Sequence, residues 1–232
     1  MKNSIKAFIL ILCFVLPVFA QNGFNGRPII HNIGMPTGHI LNAGEVIVGI
    51  GPIGFGVSER IQFGTNFLLF LFHNYNANAK ISLFKTNDAA LSVGVDVRQF
   101  YLDVSGSLTS FVSTSPFLAF SKELDPKTDL HLSGYLSHIS DRNKIKDAEI
   151  DGMAQGTIVS AGLSYDYSNR TKFLAETGYD MTFDGYRFGG AVLLGWKTFR
   201  LKLGLNCFDP KGGEKKFISP VIGLWWRFGG EE

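Results

Sequence analysis

The chain has 232 residues, with 22 Lys plus Arg against 20 Asp plus Glu and 45% hydrophobic residues. A formal charge of +2 lacks the basic surplus of a nucleic-acid binder. Its two cysteines, one of them in a leader, leave no intrachain disulfide to stabilise an exported fold.

The chain opens with Lys2 and Lys6, an uncharged apolar run from Ala7 to Leu16, and small residues at Val18 and Ala20. This pattern predicts a secretory signal peptide over residues 1–20, cut before Gln21. The run is shorter than the ~20 residues that span a bilayer as a helix. Removing it takes away Lys2, Lys6 and Cys13, so residues 21–232 are formally neutral and keep Cys207 alone. No linker or composition shift divides them, which predicts a single domain.

Beyond the leader no window repeats apolar residues at helical spacing, whereas period-two alternation recurs. In "TIVSAGLSYDY" Val159, Ala161, Leu163, Tyr165 and Tyr167 face one way, and Ser160, Gly162, Ser164 and Asp166 the other. "FRLKLGLNCF" and "YRFGGAVLLGW" behave alike. Strands are expected at 44–57, 61–72, 76–86, 89–102, 108–121, 129–140, 156–167, 172–181, 186–197, 199–208 and 217–228. Soluble strands average about 5–6 residues, whereas tilted membrane strands need about 9–11. Length, aromatic strand ends and the leader together resemble Gram-negative outer-membrane β-barrel proteins. The likeness is to that class and carries no specific family motif. It implies an all-β fold, a transmembrane antiparallel up-and-down β-barrel of about 12 strands, with 10 as the alternative where 89–121 is ambiguous. An exported β-sandwich would show the same alternation.

Bacterial barrels have an even number of strands. Counting back from a periplasmic C-terminus puts the tight turns on one side and the long 141–155 loop on the other. One strand is then missing, and residues 27–44, irregular at Pro28 and Pro36, are expected to supply it. "GIGPIGFG" at 49–56 reads as a kink or close packing inside a strand.

The inward parity assigns Lys80, Asp96, Arg98, His131, Glu176, Asp180, Arg187, Arg200, Lys202 and Arg227 to the lumen. Such charges either fill a narrow barrel with ion pairs or line a pore. Lumenal Gly94, Gly162, Gly189 and Gly204 leave space and favour water. Tyr165, Tyr167, Tyr179, Trp196, Trp226 and Phe228 are candidates for aromatic girdles.

The expected activity is a porin-like channel for small polar solutes. The alternative is a non-transporting barrel with a structural, binding or adhesion role in the envelope, carried by the charged 141–155 loop. A third reading is a lipid hydrolase built on His131 and Ser133, but their parity faces the lumen rather than lipid. No cofactor and no metal site is expected, since the histidines are scattered. The expected location is the outer membrane. Expected partners are outer-membrane lipid and, through a last strand ending at Phe228, the outer-membrane assembly machinery.

Overall fold

The computed structural model describes residues 23–24, 27–71, 73–104, 107–141, 144–145, 148–149, 153–181, 184–211 and 216–230. The expected signal peptide, residues 1–20, lies outside them. The elements are β1 Val46–Ile50, β2 Pro52–Ser58, β3 Ile61–Asn66, α1 Phe67–Phe70, β4 Tyr75–Lys85, β5 Ala89–Val104, β6 Ser107–Asp125 and β7 Thr128–Asp141. They continue with β8 Lys144–Ile145, β9 Ala148–Glu149, β10 Met153–Ser168, β11 Thr171–Asp180, β12 Gly185–Trp196, β13 Phe199–Pro210 and β14 Phe217–Phe228.

Twelve strands form one closed antiparallel barrel, each paired with its chain neighbour, and β14 closes on β1 from Val46↔Phe228 to Ile50↔Leu224. The five-pair seam joins the two ends of the sheet, and an antiparallel barrel can satisfy its paired backbone inside lipid. β8 and β9 form a separate two-stranded ribbon within the 141–155 loop.

The alternation sorts side chains as a membrane wall requires. Val159, Leu163, Tyr165 and Tyr167 on β10 are exposed, while Ser164 between them is buried inward. On β7, Leu132 and Leu136 point out, and His131 and Ser133 are buried.

The count of twelve holds, but the twelfth strand is not where the sequence placed it. Residues 27–44 form no barrel strand. The expected strand 44–57 is instead two strands, with Val46 opposite Phe55 and Val48 opposite Ile53. The chain reverses at Gly49–Pro52, where Gly51 takes φ 116°, a conformation open to glycine. "GIGP" is therefore a hairpin turn, not a kink. The expected strand 61–72 also stops early. It ends at Asn66, and Phe67–Phe70 form a single helical turn whose first amide donates to the Gly51 carbonyl at 2.7 Å.

A lumen closed by the N-terminal segment

The residues before β1 fold back inside the barrel. Phe24 starts at the end of the barrel that carries the tight turns, where its amide donates to the Asn169 carbonyl. The chain rises to a turn at mid-depth, closed by the His31↔Pro36 bridge and by the Asn32 amide donating to the Met35 carbonyl at 3.0 Å. It then descends the opposite wall and enters β1 after Glu45. Ile29, Ile33, Met35, Ile40 and Leu41 on this segment are all buried.

Strand side chains hold the segment chiefly by its main chain. The Glu176 carboxylate on β11 accepts the amides of Ile33, Gly34 and Met35 at 3.0, 2.8 and 3.1 Å. Lys80 on β4 donates to the carbonyls of Thr37 and His39. Lys202 on β13 donates to those of His31 and Asn32. Gly38 and Leu41 donate to Ser121 on β6 and Gln62 on β3 at 2.7 and 2.8 Å. Charge-assisted bonds of this kind are roughly twice as strong as neutral ones.

The base of the plug is ionic. Glu45, fully buried, pairs with Arg227 on β14 and with Arg27 of the plug at 3.1 Å. Arg227 also donates to the Pro28 carbonyl at 2.7 Å. Burial pushes the Glu45 carboxyl up, but its bonds to Arg227 and the nearby positive charge hold it below the usual carboxylate range. Beside this base, Phe24 lies under two cations, with its ring 5.2 Å from Lys172 Nζ and 5.0 Å from the Arg200 guanidinium.

An apolar seam completes the fit. Phe24, Ile29 and Ile33 pack against Leu174, Ala191 and Leu193, with Val221 and Trp225 beside them. Two glycines permit the approach. A Cβ on Gly162 would meet the Asn32 side-chain Nδ2 at 2.1 Å, and one on Gly195 would meet the Phe24 ring at 2.6 Å. The space that Gly162 and Gly189 leave is thus filled by the plug, against the expectation that lumenal glycines hold water. The space at Gly94 and Gly204 is taken by Phe117 and Ala191.

Beside the plug, from its base toward the end carrying the long loop, runs a cavity of about 410 Å³. Asn76, Asn78, Asp96, Arg98 and Tyr135 line its upper part, and Arg200, Lys202 and Arg227 its floor. Arg98 and Asp96 pair at 2.8 Å, with the Arg98 side chain half exposed.

The predicted lumenal residues divide by task. Lys80, Glu176, Arg200, Lys202 and Arg227 touch the plug, Asp96 and Arg98 face the cavity, and Arg187 pairs with Asp180 near the loop end. His131 joins a hydrogen-bond chain inside the wall. Its Nδ1 lies 2.7 Å from Ser121 Oγ and its Nε2 3.3 Å from Ser164 Oγ, which donates to Asp129 at 3.1 Å. The partners of His131 are thus Ser121 and Ser164, not Ser133. Among the girdle candidates, Trp196 and Trp226 flank Phe199 at 5.5 and 5.3 Å at the turn end, whereas Tyr179 packs on Tyr186 at 5.0 Å near the loop end. Sequence reasoning missed Glu45, Gln62 and Ser121, which act on a segment it had assigned to the wall.

No family model matches the chain, and no curated protein does. The solved structure of the KdgM porin in complex with disordered oligogalacturonate is similar in fold, with a TM-score of 0.56 and 9% identity over 80% of this chain and 97% of that one. The likeness, with the closed ladder of twelve strands, shows the fold of an outer-membrane β-barrel without assigning a family.

Substituting Glu176 by Ala removes one acceptor shared by three amides. Loss of hydrogen bonds to a charged group costs about 1.5–3 kcal/mol each, but Ile33 and Gly34 line the cavity, where solvent can take over their amides, so a net loss of about 2–4 kcal/mol is expected. Protease cutting within residues 27–42 of the folded barrel should accelerate; an unchanged cleavage rate would show that the carboxylate does not hold the turn.

Proposed function

We propose that the protein is an outer-membrane porin-like channel for small polar solutes, gated by its own N-terminal segment. The observation that carries this is a polar, charged cavity closed on one side by a plug held largely through hydrogen bonds. A purely structural barrel could fill its lumen with wall side chains; a peptide bonded by its main chain can be released without rebuilding the wall. Cations outnumber carboxylates around the cavity, with Arg27, Arg98, Arg200, Lys202 and Arg227 against Asp96, so anions should be preferred over cations. The oligogalacturonate in complex with the KdgM porin is an acidic saccharide and supports the same direction. The turn end is assigned to the periplasm and the 141–155 loop to the exterior. The last strand, ending in Phe228, is the segment that assembly machinery would engage.

Reconstitution in planar bilayers tests the reading. Folded protein should show discrete channel events, and a salt gradient should give a reversal potential of anion-selective sign. Silence from protein that retains heat-modifiable migration would instead favour the non-transporting barrel, for which the plug is the supporting observation.

Acid should loosen the gate. His39 sits in the plug with Nδ1 buried and unpartnered, its ring 6.5 Å from that of His131. Burial, then Lys80, lowers its pKa from 6.5 to about 4. A depressed histidine stabilises the neutral, plugged state above pH 6.5 and loses that contribution as pH falls toward about 4. Open probability should rise across this window and flatten in His39→Gln; an equal rise in that variant would assign the effect to other groups.

A further inference from the structure

The barrel wall is uneven in height. β1, β2 and β3 have 5, 7 and 6 residues. At ~3.4 Å per residue and a tilt of ~45° they cover ~12–17 Å of height, whereas the apolar band of a membrane barrel is about 25 Å tall. On one side of this low stretch, β14 keeps Phe217–Gly223 beyond its last partner pair on β1, Ile50↔Leu224. On the other, β4 runs on to Tyr75 beyond its last ladder pair with β3, Gly64↔Asn78, but there Asn76 is bonded to Thr65 and Asn66 and Tyr75 packs on Phe70, so the opening lies on the β14 side. The result is a notch at hydrocarbon depth in the half of the wall nearer the long loop.

The edge of β14 is adapted to lie open. The Arg227 amide donates to Thr198 on the β13 side. By the alternation of an antiparallel ladder, the amides of Ile218 and Ile222 then face the notch, with Pro220 between them. Proline has no N–H and within sheets is confined to edges and bulges. Backbone can stand unpaired at this depth only where it lines a cavity, and it does so here. Pro52, Thr65, Asn66 and Leu69 on the floor of the notch, and Pro220–Gly223 at its side, also line the lumenal cavity. The rim is apolar, with Phe67 53%, Leu71 68% and Ile222 68% exposed. The cavity inside is mixed: Ile33, Leu193, Val221 and Trp225 form an aliphatic and aromatic surface, and Arg98 and Lys202 lie beside it.

We propose that the notch is a lateral portal through which a single-chain amphipathic anion moves between the bilayer and the lumen. Its tail lies along Val221 and Trp225, and its head group is held by Arg98. A purely aqueous route does not need the low wall, and Val221 and Trp225, which flank the plug seam, also face the cavity. The cavity beside the plug, about 410 Å³, is within the ~300–1,000 Å³ of small-ligand sites. The portal is independent of plug opening, so it stands or falls separately from the channel reading.

Full-length protein folded in an uncharged detergent, with Trp196→Phe and Trp226→Phe, leaves Trp225 as the reporter. A brominated medium-chain carboxylate should quench it saturably. Arg98→Gln should move half-saturation about tenfold higher, and Val221→Phe should abolish saturable quenching while heat-modifiable migration is retained. A short carboxylate without a tail should not compete. The proposal is overturned by linear, non-saturating quenching, by equal competition from the short carboxylate, by unchanged saturation in both variants, or by a dimer whose formation protects Trp225 from the probe. Channel activity measured on the same preparation bears only on the aqueous reading.

Discussion

Deleting Phe24–Asn42 should raise single-channel conductance roughly tenfold, because it removes the segment that fills the lumen beside the cavity. The deleted residues make no barrel ladder, since β1 begins at Val46 and pairs through Val46↔Phe228. The wall should therefore still form, which heat-modifiable migration would report. The variant leaves Lys80, Glu176 and Lys202 without their main-chain partners, but water now reaches them. Selectivity should change with conductance, as charges that were bonded to the plug become part of the pore lining. Unaltered conductance in a folded deletion variant would mean that current does not pass through the plugged region at all.

Glu45→Ala should be the most damaging single substitution at the plug. Glu45 joins Arg227 and Arg27 and accepts the Asn42 amide at 3.0 Å, with no exposed side-chain surface. Removing one member of a buried pair leaves an uncompensated charge and typically costs about 3–5 kcal/mol. The midpoint of thermal unfolding, followed by the gel shift, should drop accordingly. The double variant Glu45→Ala with Arg227→Leu should recover part of the loss, because it removes the stranded guanidinium. A single-variant loss below about 1 kcal/mol would show that solvent reaches the pair.

The barrel was legible because its physics is repetitive. Each long strand independently shows a period of two, and in β10 alone Val159, Leu163 and Tyr165 mark the outward face. The plug was not, because it has no period. Residues 27–44 carry two prolines and irregular spacing, so their structure is set by what surrounds them rather than by local preference. One signal did exist. Leu174, Ala191, Leu193, Val221 and Trp225 occupy inward positions on three strands of one side of the wall, β11, β12 and β14. An aqueous lumen gives no reason for such a patch; an apolar segment lying against it does. The missed hairpin has a different origin. A chain reversal at "GIGP" was judged by glycine spacing alone, when Gly51 followed by Pro52 is a turn signal. The roles of Lys80, Glu176 and Lys202 depended on the same missing piece: their inward parity could be read, but not the carbonyls and amides they hold.

The way the barrel closes also constrains how it can be made. The β1–β14 seam joins Val46 to Phe228 across nearly the whole chain and contains five residue pairs, whereas the β5–β6 hairpin zips up locally from Val104↔Ser107 to Ala89↔Lys122. Local hairpins form early, and contacts of great sequence separation bear the largest loop-closure entropy. The seam is thus the late event in folding. The plug runs directly into β1, so when the seam closes the segment must already lie between the curling walls. Folding and gating are therefore two uses of the same contacts: the carboxylate and lysines that later hold the closed state first gather the chain's N-terminal segment into a sheet that has not yet become a cylinder.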